Sequence, residues 1–210
     1  MKLSKIRRYR KKYKLIATLF SRSPVLVMGL NLPFLIATSV SLRAAAALSL
    51  ELLVVHMGTM VIALIASRYC SRRACAIVNV AASTLLMVAS RFWLIALFRG
   101  IVDTLGMYIY LMAVNGMTLI QSNAVSKDSR PLPVLGGAFL NVLGFSGAMF
   151  FLSFFREYLG SGSFWGNPIV APLRLPGVLV PFSGFIMTGF LLAGAKLLNK
   201  RLLALTLRER

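Results

Sequence analysis

Acidic residues are almost missing from this 210-residue chain: five Asp and Glu stand against 24 Lys and Arg. There is one histidine, and there are two cysteines. No Ser/His/Asp arrangement is recognisable, since the one histidine, His56, has no neighbouring carboxylate. Cys70 and Cys75 flank Ser71 to Ala74 at a spacing that matches no usual zinc pair, and a four-ligand site would need cysteines the chain lacks. They read as free thiols in reducing surroundings. No phosphate-binding glycine loop or dinucleotide fingerprint occurs. Soluble-type catalysis is therefore set aside.

What the chain does have is apolar length. Hydrophobic residues make up 58% of it, mean hydropathy is +0.80, and several windows exceed the roughly 18 apolar residues that mark a bilayer span. The pattern predicts an all-α integral membrane protein with six transmembrane helices: Pro24 to Leu42, Ala44 to Ser67, Ala74 to Ala89, Ile101 to Gln121, Pro133 to Phe155 and Gly177 to Leu198. Residues 23–210 form one membrane domain, preceded by an arm over residues 1–22. Lys2 to Lys14 carries eight Lys or Arg, and the short apolar run after it lacks a cleavage site. The arm is expected to be retained and amphipathic, lying on anionic lipid in the cytoplasm.

A net charge of +19 would suggest nucleic acid for a soluble protein. Here the basic residues gather at the ends of apolar segments, so membrane orientation explains them and no nucleic acid is implied. With the arm inside, nineteen of the 24 fall in inside regions, leaving Arg43, Arg91, Arg99, Arg156 and Arg174 outside. Both termini are then cytoplasmic. Phe92, Trp93 and Phe98 suit the outer interface, and the loop from Arg156 to Pro176 is the longest external connection. The small residues Gly136, Gly137, Gly144, Ser146 and Gly147 would admit a neighbouring helix.

Two segments are faulted. Gly29, Asn31 and Pro33 interrupt the first, and Asn115-Gly116 interrupts the fourth; each removes helix propensity and places an amide where lipid would not tolerate it. Matched breaks predict an inverted repeat of three plus three helices, with the functional site where the halves meet. Asn31, Asn115 and Glu51 are the candidate cavity or ion-path residues. Glu51 is the one acid clearly inside a span, with Arg43 and Ser49 as expected partners. His56 has no neighbouring carboxylate; a hydrogen bond inside the bundle is favoured over proton carriage. Local ion pairs account for Asp103 and for Glu157 beside Arg156.

These residues also resemble a known family. Pro24 to Thr38 is similar to the first-span pattern of the RnfE/NqrD-like membrane subunits of the Rnf and Nqr electron transport complexes, which are related to RnfA/NqrE. That pattern has apolar residues around Gly-Leu-Cys-Pro. Leu105 to Gly116 is similar to the stretch leading to the family's Thr-Asn-Cys. Phe155 to Phe164, Phe-Arg-Glu-Tyr-Leu-Gly-Ser-Gly-Ser-Phe, resembles its Arg-Glu-Leu-Leu-Gly-Ser-Gly-Thr-Leu element, and Val180 to Ile186 its Pro-Pro-Gly-Ala-Phe element.

The resemblance implies a bacterial-type inner-membrane subunit that pairs with an RnfA/NqrE-like partner in a complex coupling electron flow to sodium or proton movement. That complex carries 2Fe-2S and flavin groups. In the family one cysteine from each broken helix holds an iron-sulfur cluster. Here Leu32 takes the first cysteine position, or Asn31 if the register slips by one, and Gly116 takes the second. Neither supplies a thiolate, so no cofactor is expected on this chain. The family's Gly-Arg-Ala-Glu-Ala reads Leu119 to Ala124 without a carboxylate, and its Leu-Asp-Gly reads Leu135-Gly136-Gly137. The implied role is scaffold or ion path. The rival reading is a non-redox transporter or accessory protein on the same scaffold.

Overall fold

The computed structural model describes residues 32–168 and 175–208. The basic arm and Asn31 lie outside the described residues. Elements are numbered within that part: α1 Leu32–Thr38, α2 Leu42–Tyr69, α3 Arg72–Leu97, α4 Ile101–Leu105, α5 Met107–Tyr110, α6 Gly116–Asn123, α7 Pro131–Arg156 and α8 Pro181–Arg208. A two-residue hairpin, β1 Ser163–Phe164 with β2 Asn167–Pro168, is the only sheet among the described residues. Three helices there are long and apolar enough to cross a membrane, α2, α3 and α7 with its continuation to Ser161, and Pro181–Gly194 is a shorter apolar stretch.

Helix α2 starts where Ser41, in extended conformation, accepts a hydrogen bond from the Ala44 amide at 3.2 Å. Its 28 residues span about 42 Å, more than the roughly 30 Å hydrocarbon core. Only Cys70 and Ser71 separate it from α3, so the two are neighbours. Inside lipid, burying apolar surface against another helix gains little over lipid contact, and close packing has to hold the bundle. Ala44, Ala45 and Ala47 supply it, letting α2 meet Met87 and Leu94 of α3 and Val142, Phe145, Met149 and Leu152 of α7. Ile77, Leu85, Val88 and Phe92 of α3 face outward, as a lipid-contacting side requires.

Some expectations change. The link between the first two segments is Ser39 to Ser41, so Leu42, expected to end the first span, and Arg43 lie instead in the first turn of α2. The third helix runs past Ala89 to Leu97, because no Gly or Pro interrupts it there; Phe98 leaves helical geometry (φ −125°, ψ 61°), and Gly100, with φ 82°, turns the chain into α4. Phe92 and Trp93 therefore sit within the helix. A Cβ at Gly136, Gly137 or Gly147 would meet nothing within 4 Å, so no described element packs there. Close approach occurs elsewhere: a Cβ at Gly58, Gly160 or Gly184 would fall 2.5 to 2.6 Å from Leu86, Leu179 or Ile36.

Arg156 and Glu157 do not pair with each other. The buried Arg156 guanidinium donates to the carbonyl oxygens of Ile36, Val178 (3.2 Å) and Leu179 (2.6 Å) and to Ser39 Oγ at 2.9 Å. Glu157 accepts from the Leu42 amide at 2.5 Å, at the start of α2, and from the Gly166 amide at 2.7 Å. A carboxylate at a helix amino terminus satisfies an otherwise orphaned donor and complements the helix dipole. Asp103 lies in the first turn of α4, where the same complement applies.

Candidate functional site

The fourth apolar segment is broken twice. Gly106, with φ 50° and ψ −122°, separates α4 from α5, a conformation open to glycine and not to larger residues. After one tight turn, Leu111–Val114, Asn115 is extended (φ −64°, ψ 122°) and α6 begins at Gly116. Such a break leaves polar backbone groups that hydrocarbon cannot satisfy. Here the protein satisfies them. Asn115 caps α6 by accepting from the Met117 amide at 2.9 Å, and the Ala113 carbonyl receives the Ser83 hydroxyl at 2.6 Å.

Helix α6 is held from α2 by the histidine. His56 is fully buried; its Nδ1 lies 2.9 Å from Thr118 Oγ1 and its Nε2 2.7 Å from Gln121 Oε1. With the Gln121 amide oxygen toward the ring, Nε2 carries the proton and Nδ1 accepts from Thr118. Thr118 and Gln121 are three residues apart on one face of α6, which a single imidazole can bridge.

Glu51 is also fully buried, but its partner is neither Arg43 nor Ser49. Its Oε1 is bonded to the Ser90 hydroxyl of α3, while Oε2 and Ser49 Oγ have no partner among the described residues. Ser90 lies two turns from Ser83, about 10 Å along α3, so Glu51 and the break are separate polar centres. Of the expected residues, Asn115 forms the break, Glu51 sits apart from it, and Asn31 lies outside the described residues. Leu32 is the first residue of α1 and Gly116 the first of α6.

The residues that sequence reasoning missed are on α3. Asn79, Ser83 and Ser90 are all buried, and each makes a bond to another segment: Asn79 to Asn123 Oδ1 at 3.1 Å, Ser83 to Ala113, Ser90 to Glu51. Their spacing of four and seven is a polar stripe on one face of an apolar helix. That periodicity is present in the sequence and is the usual sign of an inter-helix face in a membrane.

Apolar helices of bilayer length, polar groups paired across helices and a discontinuous helix capped from within define a polytopic membrane protein. Residues 12–195 match the Rnf-Nqr family, described as Rnf-Nqr subunit, membrane protein. The chain belongs to that family. It is also similar to the D subunit of the Na(+)-translocating NADH-quinone reductase of Haemophilus influenzae, in strains PittGG and 86-028NP among others. The identity is 24% over 191 residues, covering 87% of this chain and 91% of the relative.

Proposed function

We propose that this chain is a membrane subunit of an ion-translocating electron transport complex of the Rnf/Nqr type, in a bacterial-type inner membrane, acting as scaffold or ion path. The observation that carries this reading is the family match over residues 12–195. The break at Asn115 supports it, because a discontinuous helix lines a cavity or a protein interface, not lipid. In this proposal the first three and last three spans form an inverted repeat, both termini are cytoplasmic, and an RnfA/NqrE-like subunit is the paired partner. Asn31, Asn115 and Glu51 face the ion path.

The cluster implied by the family does not fit the donors present. The residues that open the helices at Leu32 and Gly116 are a leucine and a glycine, and an iron-sulfur cluster requires thiolates. Cys70 and Cys75 cannot stand in, since one caps the end of α2 and the other lies in the first turn of α3, away from Leu32 and Gly116 in sequence and element. The chain is proposed to contribute no ligand. Complex-level 2Fe-2S and flavin groups would reside on other subunits.

Affinity purification of the native complex through this chain tests the reading. Co-purifying flavin- and iron-sulfur-bearing subunits are expected, with no iron bound to this polypeptide after its separation. A chain purified alone from its native membrane, transporting a solute without redox partners, would favour the non-redox transporter instead. Iron held stoichiometrically by this polypeptide would overturn the scaffold assignment.

A further inference from the structure

Glu51 is enclosed by its own chain. It is 0% exposed and bonded to α3 from α2, so neither a partner subunit nor a lipid headgroup reaches its carboxyl in the closed bundle. Its one bond among the described residues is to the Ser90 hydroxyl, and Oε2, enclosed as well, has none. A carboxylate only accepts, and its two oxygens have room for about four donors between them. Here it has at most one. A buried charge persists where an opposite charge or several hydrogen bonds replace its water, and the nearby cations are engaged elsewhere. Arg91, next to Ser90, holds its guanidinium 5.4 Å from the Tyr110 ring centre. Arg43 stands eight residues before Glu51, about 12 Å along α2, with its guanidinium against Gly166 of the hairpin. Arg156 bonds Ser39 and backbone carbonyls, and the His56 ring bonds Thr118 and Gln121.

Counting protons at Ser90 gives the same answer. Its hydroxyl has a single proton, yet Oγ lies 2.8 Å from the Met87 carbonyl oxygen, one turn back on α3, as well as against Glu51 Oε1. A proton given to the carbonyl leaves none for the carboxyl, and two bare oxygens would then face each other unless Glu51 brings its own. A carboxylic acid does. Its O–H donates to Ser90 Oγ, Ser90 donates to Met87, and each contact holds one proton. Apolar surroundings keep carboxylic acids neutral, and able to donate, in this way.

We propose that Glu51 is a proton-binding site, a neutral carboxylic acid that donates to Ser90 and joins α2 to α3 without a charge. That much holds whatever complex the chain serves. A further step rests on the ion-path reading above: the ion handled at Glu51 is then a proton. A hard metal cation needs several oxygen ligands, and Ser90 Oγ is the one oxygen found bonded to this carboxyl.

Infrared spectroscopy reads the proton directly. Spectra of the purified native complex and of its Glu51→Gln variant, both in vesicles at neutral pH without sodium, are subtracted. The difference is expected to contain the carbonyl stretch of one protonated carboxyl. Ser90→Ala keeps the acid and removes its acceptor, so it should move that band to higher frequency without loss; it is the second variant should Glu51→Gln fail to assemble. A carboxylate stretch in place of the band overturns the proposal, as does a Ser90→Ala spectrum identical to that of the wild type. Sodium decides the further step. A band that persists when sodium is added supports the proton, and a band lost on addition shows a metal cation displacing it and overturns that step. Failure of the electron transport reading looks different: flavin- and iron-sulfur-bearing subunits are missing from the preparation while the band remains.

Discussion

Ser90 and His56 show what a single polar side chain does inside the bundle. Ser90→Ala removes the one hydrogen bond found for Glu51, and a buried polar group losing its partner costs about 1–3 kcal/mol. Thermal unfolding of the detergent-purified complex should register that loss. Glu51→Gln keeps a side chain that can bond Ser90 without a buried charge, so stability should hold or rise; a fall as large as that of Ser90→Ala would contradict this. If Glu51 serves the ion path, the Gln variant assembles normally but moves fewer ions per electron in vesicles, and unchanged coupling removes Glu51 from the path. His56→Leu strands Thr118 and Gln121 and should cost about 1–2 kcal/mol, given the modest worth of single inter-helix bonds in membranes.

The broken fourth segment is partly legible in the sequence. Asn115-Gly116 announces its own interruption, since an amide and a glycine adjoin in an apolar run, and the helix does restart at Gly116. Gly106 gives no such signal, because a lone glycine in an apolar run is tolerated in membrane helices as often as it breaks them. The end of α3 misleads for the opposite reason: Arg91 looks like a boundary, yet it stays helical with its guanidinium 5.4 Å from the Tyr110 ring centre. The bond partners of Glu51 and His56 are not readable, because they come from α3 and α6, and pairing between helices depends on rotation that single-chain periodicity does not set. At Asn115, replacement by Leu removes the cap of α6, worth about 1 kcal/mol, and the amide at the break. Reduced complex yield or loosened coupling is expected; wild-type yield and coupling would exclude Asn115 from any cavity role. The same pair of measurements on Asn31→Leu tests the first segment.

For the molecule as a whole, Arg156 and Glu157 act as a two-sided fastener. One ties α1 to the approach of α8, and the other ties the start of α2 to the hairpin. Lysine has a single ammonium and cannot reach four acceptors in a fixed plane. Arg156→Lys should therefore lower complex stability nearly as much as Arg156→Ala, by about 3 kcal/mol or more when several buried carbonyls lose donors; full rescue by Lys would mean that charge alone matters. Orientation is tested separately. The basic residues around Cys70 and Cys75 predict a cytoplasmic location, so a membrane-impermeant maleimide should leave both unlabelled in intact cells and label them in inverted vesicles.

The contacts of Arg156 join residue 36 to residues 178 and 179. During synthesis, Arg156 leaves the ribosome before its acceptors at 178 and 179, so the guanidinium waits, half-served, until they follow. Closure of the bundle is thus a late event in biogenesis. A nascent chain stopped short of Gly177 would carry an unquenched cation at the bilayer, a ready mark for quality-control proteases.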